Sequence, residues 1–429
     1  MRAAGRSLEI RPVERPIRAM PVLPGSKSLT NRALVIATLA VGDSTLRGAL
    51  DSEDTRVMVA ALQRLGFSVR WNRTAATIGI AGRGGEIPAA RADLFGGNAG
   101  TAVRFLTSLV ALGHGRFRID GDPRMRERPI EDLLDALRAL GVVARSERGD
   151  GCPPVVVEAA GIEGGAATVG GDVSSQFTSA LLLVAPYARH DVRLDIRGAL
   201  VSAPFVDMTL GLMHRFGVAS TRHGDGIRVA AGQRYGGCDV AIETDATAAS
   251  YFFAAAALLG GEVTVLGLGR DSLQGDVRFL DVLAAMGAQV RFEPDRVTVR
   301  GGELHGFDQD FAAISDTFLT AAALAPFASS PSRIRGIAHT RRQETDRVAA
   351  VARELKRLGA RVEESAGELE IAPSAIHGGL VETYGDHRMA MSFSLIGLKV
   401  PGIRILDPLC VDKTFPDFFE RLESLRVPA

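Results

Sequence analysis

The stretch Thr244-Asp-Ala-Thr-Ala-Ala-Ser-Tyr-Phe-Phe-Ala-Ala-Ala-Ala-Leu-Leu259 places a short polar cluster before a run that is apolar on every side. A helix of that composition has no face for water and belongs in a core. The same pattern returns along the chain. Its polar clusters are Gly25-Ser-Lys-Ser28, Gly97-Asn-Ala-Gly-Thr101, Val173-Ser-Ser-Gln176, Thr244-Asp-Ala-Thr247, Ile314-Ser-Asp-Thr317 and Gly385-Asp-His-Arg388. Their spacing is about 70 to 75 residues, so six repeats fill the 429 residues. A period of that size marks a repeat architecture, in which each copy is a supersecondary unit.

Working outward from each apolar helix gives the rest of the repeat. A strand follows, as at Val192–Ile196 and Val263–Leu266. An amphipathic helix comes next. In Pro129–Leu140 and Thr345–Leu358 the apolar residues recur at i, i+3, i+4 and i+7, the stripe of a half-buried helix. Pro129 suits the first helical position. Gly66, Gly141, Gly217, Gly287 and Gly359 follow such helices, where a left-handed cap favours glycine. A hairpin closes each repeat, as at Val290–Arg300 and Val362–Ile371. The sixth repeat runs out of chain before its hairpin. The extra strand segments Leu8–Val13 and Arg18–Val22 are therefore expected to complete it.

The expected fold is α/β, with two similar domains of three βαβαββ repeats each. Such a domain is an inside-out α/β barrel, with buried parallel helices and outer sheets. Residues 24–243 form domain 1. Residues 1–23 plus 244–429 form a discontinuous domain 2, and the active site is expected in the cleft between them.

Composition bounds the function. Lys plus Arg and Asp plus Glu are each 50, so the net charge is zero. That argues against a polyanion or membrane-surface partner, whose attraction needs a charge bias. Hydrophobic residues are 46% and charged residues 23%, a globular balance. Cys152, Cys238 and Cys410 make no disulfide framework and lack metal-ligand spacing. No HExxH or CxxC occurs, and neither a metal nor a cofactor is expected. The N-terminal residues lack a signal-peptide core and carry Glu9 and Glu14, so a soluble cytoplasmic protein is expected.

Each polar cluster stands at a helix N-terminus, where unpaired N–H groups and partial positive charge favour anions. Ser, Thr, Asp and Asn are also ordinary N-caps. What exceeds capping is the density of cations: Lys27, Arg32, Arg104, Arg124, Arg126, Arg128, Arg341, Arg342, Arg347, Arg388 and Lys413. Gly25-Ser-Lys-Ser28 is not a P-loop, because Ser26 stands where a Walker sequence needs glycine.

These motifs together resemble the 5-enolpyruvylshikimate-3-phosphate synthase family, the 3-phosphoshikimate 1-carboxyvinyltransferases. The matching stretches are Leu23-Pro-Gly-Ser-Lys-Ser-Leu-Thr-Asn-Arg32, Gly97-Asn-Ala-Gly-Thr-Ala-Val-Arg104, Gly121-Asp-Pro-Arg-Met-Arg-Glu-Arg-Pro-Ile130, Val173-Ser-Ser-Gln-Phe177, Glu344-Thr-Asp-Arg347, Gly385-Asp-His-Arg-Met-Ala-Met391 and Lys413-Thr-Phe-Pro-Asp417. They span nearly the whole chain in the family's order. The resemblance implies transfer of the enolpyruvyl group of phosphoenolpyruvate to the 5-hydroxyl of shikimate 3-phosphate. Phosphate is released through a tetrahedral intermediate, on the shikimate pathway to chorismate and the aromatic amino acids. It also implies a monomer acting on small molecules, with no nucleic-acid or membrane partner, and a target of glyphosate.

By the same resemblance Glu344 handles the C3 proton, Asp316 takes the hydroxyl proton and Lys27 stands by the leaving phosphate. Phosphoenolpyruvate is expected on Lys27, Asn98, Gly100, Arg124, Gln176, Arg347, Arg388 and Lys413. Shikimate 3-phosphate is expected on Lys27, Ser28, Arg32, Ser174, Ser175, Gln176, Ser202, Asp316, His339 and Gln343. The chain departs from the family at several positions. Gln343 stands where many relatives have Lys, with Arg341 or Arg342 available to compensate. His339 replaces a common Asn, and Phe105 a common Pro directly after Arg104, where substitutions bear on glyphosate binding in the family; Gly100 is kept. Ala203 and Phe205 replace a frequent Lys and Tyr. The rival readings are a non-catalytic ligand-binding relative, with Gln343 as its sign, and the sister transferase acting on UDP-N-acetylglucosamine. That enzyme typically has Lys-Asn where this chain has Lys27-Ser28, and a loop cysteine that Pro123–Pro129 lacks.

Overall fold

The computed structural model describes residues 6–426. The chain divides into two compact lobes. One is residues 25–242; the other joins the segment ending at Pro24 to the chain from Glu243 onward.

The first lobe holds three repeats. Their helices are α1 (Lys27–Leu39) and α2 (Glu53–Arg64), α3 (Gly100–Val110) and α4 (Glu131–Ala139), then α5 (Ser175–Val184) and α6 (Pro204–Arg215). The second lobe holds α7 (Ala246–Leu259) and α8 (Phe279–Ala285), α9 (Phe318–Leu324) and α10 (Arg347–Arg357), then α11 (His387–Gly397) and α12 (Phe418–Ser424). The odd-numbered helices are buried almost all round, and every residue of α3, α9 and α11 is out of solvent. The even-numbered ones bury one stripe: in α4 it is Leu133, Leu134, Ala136 and Leu137. That division follows from where their apolar residues fall.

The sheets repeat one plan. In the second repeat Arg91–Phe95 runs parallel to His114–Asp120, which pairs antiparallel with Val155–Ala160, which pairs with Val143–Ser146. Four other sheets share this four-strand order, and the sixth has three strands among the described residues. Gly66, Gly141, Gly217, Gly287 and Gly359 all adopt positive φ after their amphipathic helices, as the capping rule requires.

The N-terminal segment is shared rather than given wholly to the sixth repeat. Ser7–Ile10 pairs antiparallel with Ile403–Leu406 and does complete that sheet. Arg18–Ala19 instead runs parallel to Glu262–Leu266 in the fourth repeat. The reason lies in the chain path. Asp239–Ala241, the strand before α7, is spent as the parallel partner of Asp43–Arg47 in the first repeat. The fourth repeat then lacks a first strand, and Arg18–Ala19 supplies it. A second difference is at α4, which begins at Glu131 rather than Pro129. The Ile130 N–H donates to Gly151 O at 2.9 Å, and Arg104 holds Pro129 O at 2.9 Å, so both backbone groups are held from outside the helix.

The second lobe's core closes on aromatic contacts. Phe418 of α12 packs edge-on to Tyr251 and Phe252 of α7, with centroids 5.7 and 6.2 Å away, and to Phe415 at 5.5 Å. Truncating a fully buried Phe of this kind costs about 3–5 kcal/mol. No helix among the described residues is long and apolar enough to cross a membrane.

The docking of Arg18–Ala19 depends on a close backbone approach. The Glu262 N–H donates to Ile17 O at 2.7 Å, and a Cβ on Gly261 would sit 2.2 Å from that oxygen. Gly261→Ala is expected to cost more than about 2 kcal/mol in urea unfolding. Its neighbour Gly260, the α7 cap at φ +71 with nothing near its Cβ position, should lose only about 1 kcal/mol as Ala. Equal losses would show that the segment is not seated there.

Candidate active site

Four of the six polar clusters cap their helices through a side chain. Ser26 accepts from Leu29 N at 3.4 Å, Ser174 from Gln176 N at 3.2 Å, Asp245 from Ala248 N at 2.8 Å and Asp386 from Arg388 N at 2.9 Å. Capping does not exhaust what these clusters do. Two of the capped helices also carry a buried arginine near their start, Arg32 in α1 and Arg388 in α11.

In the first lobe Arg32 is the unusual one. It is 2% exposed, one turn into α1. Its Nε donates to Thr209 Oγ1 at 2.7 Å. Its Nη atoms donate to Ser28 O at 3.0 Å, and to Ser179 Oγ and Phe205 O at 3.2 Å each. All of these acceptors are neutral. The rings of Phe105 and Phe205 flank the guanidinium, with centroids 5.2 and 5.8 Å away. Burial pushes the Arg32 pKa down to about 9, which leaves it charged at neutral pH. A buried cation held only by neutral dipoles and ring faces is set up for an anion.

Near it on α1, Lys27 pairs with Asp54 of α2 at 3.1 Å. Arg128 donates to both Asn98 O and Asn98 Oδ1 at 3.2 Å. A Cβ on Gly100 would come 2.7 Å from Arg128 Nη2 and 3.1 Å from Gln176 Oε1, so only glycine leaves this approach open. Asn98, Gly100, Arg128 and Gln176 are thus brought together. Arg124 donates to Glu127 at 2.7 Å and remains partly exposed. Ser175 is buried beside the cap Ser174. Ser202 is buried at φ +52, just ahead of α6.

Two of the cations singled out in the first lobe have structural work instead. Arg126 makes a two-pronged pair with Asp120 at 2.9 and 2.8 Å. Arg104 ties α3 to the loop at Met125 Sδ and Pro129 O.

In the second lobe the centre is Arg347, the first residue of α10. Its Nε donates to Asp386 Oδ2 at 2.8 Å. Nη1 reaches Asp316 Oδ1 at 3.0 Å and Gln343 Oε1. Nη2 reaches Glu344 Oε2 at 3.0 Å and Asp386 Oδ1 at 3.3 Å. A guanidinium has five N–H donors, and here every one has an acceptor. Burial alone would lower the Arg347 pKa, but Asp386, Glu344 and Asp316 together hold it above its usual value. Asp316 also accepts from Arg388 Nη2 at 2.6 Å. Arg388 is buried; its Nη1 lies 3.5 Å from Tyr251 Oη, and its Nε has no partner among the described residues. Burial pushes the Tyr251 hydroxyl up to about 12, so it is a neutral group beside that cation.

The remaining expected residues fall around this centre. Gln343 is an acceptor for Arg347. His339 Nε2 meets Ser315 Oγ at 2.9 Å, next to Asp316. His387 is buried, with Nδ1 3.5 Å from Asp386 Oδ1. Lys413 ends the turn Pro408–Lys413 and is buried. Arg341 is not available to replace a charge at Gln343: it is engaged by Asp346 at 2.9 Å and Glu364 at 2.8 Å.

A family model described as EPSP synthase (3-phosphoshikimate 1-carboxyvinyltransferase) matches residues 14–422. The chain belongs to the EPSP synthase family. It is 49% identical over 417 residues to the 3-phosphoshikimate 1-carboxyvinyltransferase of Nostoc punctiforme, covering 97% of this chain and 98% of that one. The protein of the same name from a Shewanella species (strain W3-18-1) is 47% identical over 425 residues, covering 98% and 100%. Among solved structures, an EPSP synthase from Acinetobacter baumannii superposes with a TM-score of 0.82 at 24% identity, over 99% of both chains. The enolpyruvyl transferase NikO of Streptomyces tendae gives 0.75 at 20% identity, over 98% of both. Those two structures speak for the fold.

Asp54, Tyr251 and Thr209 belong to these clusters and carry no signal in the sequence. Asp54 looks like a first-turn helix acid, Tyr251 like core, and Thr209 like one polar residue of an amphipathic helix. None carries a motif of its own.

His339 gives a test of the second-lobe geometry. Burial lowers its pKa, with Arg347 acting in the same direction and Asp316 opposing. A histidine whose folded pKa lies below its unfolded value binds fewer protons when folded. Its contribution is intact above the unfolded value near 6.5 and is lost as pH falls below it. Thermal melts of His339→Asn should therefore lose less stability than wild type between pH 7 and pH 5. Parallel curves would show that the ring is freely solvated.

Proposed function

We propose that the two clusters act on one pair of substrates in the family reaction. Enolpyruvyl passes from phosphoenolpyruvate to the 5-hydroxyl of shikimate 3-phosphate, and phosphate is released. This transfer is a step of the shikimate pathway, and the chain is a transferase within it.

The observation that carries the assignment of roles is the fork of Arg347. One guanidinium holds Asp316 on Nη1 and Glu344 on Nη2. The reaction needs two proton-handling groups near adjacent atoms: one takes the proton of the attacking hydroxyl, the other gives a proton to C3 and later removes one. Two carboxyls spaced by a single planar fork suit that demand. Asp316 takes the hydroxyl proton as oxygen bonds to C2, while Glu344 protonates C3. The tetrahedral intermediate then loses phosphate, and Glu344 recovers a C3 proton as the double bond re-forms. Lys27 stabilises the departing phosphate.

The anion contacts divide by donor capacity. Arg347 is expected from the resemblance among the phosphoenolpyruvate contacts, but all five of its donors are engaged within the chain, so we assign it to holding the two carboxyls instead. Arg388 has unused donors, and with Lys413, Arg124, Asn98, Gly100 and Gln176 it receives phosphoenolpyruvate. Arg32, with Lys27, Ser28, Ser174, Ser175, Gln176 and Ser202, receives shikimate 3-phosphate, and Asp316, His339 and Gln343 are assigned to the same substrate. Arg32 answers one negative group; the serine hydroxyls and helix N–H groups answer the other. The chain works as a cytoplasmic monomer in this reading.

Two outcomes test it. Shikimate 3-phosphate at a hundred times its Kd should stabilise the protein by about 2.7 kcal/mol in thermal melts. Arg32→Gln should abolish that gain without lowering the unliganded melting temperature, since no acid loses its partner. Glu344→Gln should release phosphate from the two substrates roughly a thousandfold more slowly. Phosphate release with UDP-N-acetylglucosamine as the sole acceptor, or full activity of Glu344→Gln, would overturn the assignment.

A further inference from the structure

Asp276 is an acid that the roles above leave unused. It lies on the turn Gly275–Arg278 that leads into α8, and it is 5% exposed. One carboxyl oxygen meets the hydroxyl of Thr247, in the first turn of α7. The other, Oδ1, has no partner among the described residues. Phe253, Leu268, Phe279 and Leu280 line the space around it. The charged groups that face it come from three other elements: Asp245 from the cap of α7, Asp316 from the segment before α9, and Arg388 from α11.

An ionised carboxylate with one bare oxygen in apolar surroundings is costly, so the neutral acid is favoured here. Burial and then the neighbouring Asp316 raise the Asp276 pKa to about 7, with Thr247 and Arg388 pulling the other way. The geometry sets this acid close to Arg388: Thr247, which meets Asp276, and Tyr251, whose hydroxyl lies 3.5 Å from Arg388 Nη1, are i and i+4 on one face of α7.

We propose that Asp276 is a positioning residue for the transfer reaction, its charge setting how far Arg388 is available to the phosphoenolpyruvate anion. The proposal rests on the assignment of Arg388 to that substrate. With Asp276 neutral, Arg388 faces the single carboxylate of Asp316 and keeps attraction for an incoming anion. With Asp276 ionised, a second buried negative charge offsets the guanidinium and repels phosphoenolpyruvate. Binding of this substrate weakens as pH rises through 7.

The test is steady-state phosphate release at saturating shikimate 3-phosphate, from pH 6 to pH 8.5, with wild type and Asp276→Asn. Asparagine keeps an acceptor for Thr247 and carries no charge at any pH. The ionisation of phosphoenolpyruvate itself is common to both enzymes and cancels in the ratio of their KM values. That ratio, wild type over variant, should rise about fivefold or more across the window, with the larger change in KM rather than kcat. A second variant, Thr247→Val, removes a hydrogen bond that favours the ionised acid, so the KM rise should move to higher pH. A ratio that stays constant with pH, or a Thr247→Val enzyme that loses activity equally at all pH values, would overturn the proposal while leaving the reaction assigned. If wild type releases no phosphate from the two substrates at any pH, the functional reading itself fails.

Discussion

Much of the second lobe's chemistry depends on one buried guanidinium. Arg347 is 1% exposed, and it is tolerable there only because Asp386, Asp316, Glu344 and Gln343 between them accept all five of its donors. The arrangement links four segments. Asp386 caps α11 while holding Arg347, so the start of α10 and the start of α11 are tied through one carboxylate. Asp316 joins Arg347 to Arg388. Removing any one acid would leave a buried donor unanswered, which is why this network behaves as a unit rather than as separate ion pairs.

The first lobe solves the opposite problem. Arg32 is buried as deeply but is held by hydroxyls, carbonyls and two phenylalanine rings, with no acid among its hydrogen-bond partners. One lobe thus keeps a cation whose charge is uncompensated, and the other keeps cations whose charge is largely spent on orienting acids. Anion binding and proton transfer call for these two different settings, and the zero net charge of the chain reveals neither.

Much of the fold was legible because its signals are periodic. The runs before Leu39, Val184 and Leu259 are apolar on all sides, and the stripes of α4 and α10 keep helical spacing; both follow from how helices bury surface. The sharing of the N-terminal segment was not legible. Which sheet Arg18–Ala19 joins depends on where Asp239–Ala241 has gone, a long-range choice that local pattern does not encode. The motif residues Arg32, Glu344, Arg347 and Arg388 could be named from sequence. Their partners could not, because Asp54, Thr209 and Tyr251 sit in ordinary helix contexts. The cation list failed in a similar way: Arg126 and Arg341 lie in the same motif-rich stretches as the others, and only geometry shows that Asp120, Asp346 and Glu364 occupy them.

The central claim is that Arg347 acts by holding the proton-handling pair rather than by gripping the substrates. Arg347→Lys tests it most directly, because lysine keeps the charge and loses the planar fork. The measurement is kcat for phosphate release alongside shikimate 3-phosphate affinity by calorimetry. The account predicts that kcat falls by about a hundredfold or more, while shikimate 3-phosphate binds within roughly threefold of wild type. An unchanged kcat, or a loss of shikimate 3-phosphate affinity as large as the loss of kcat, would contradict it.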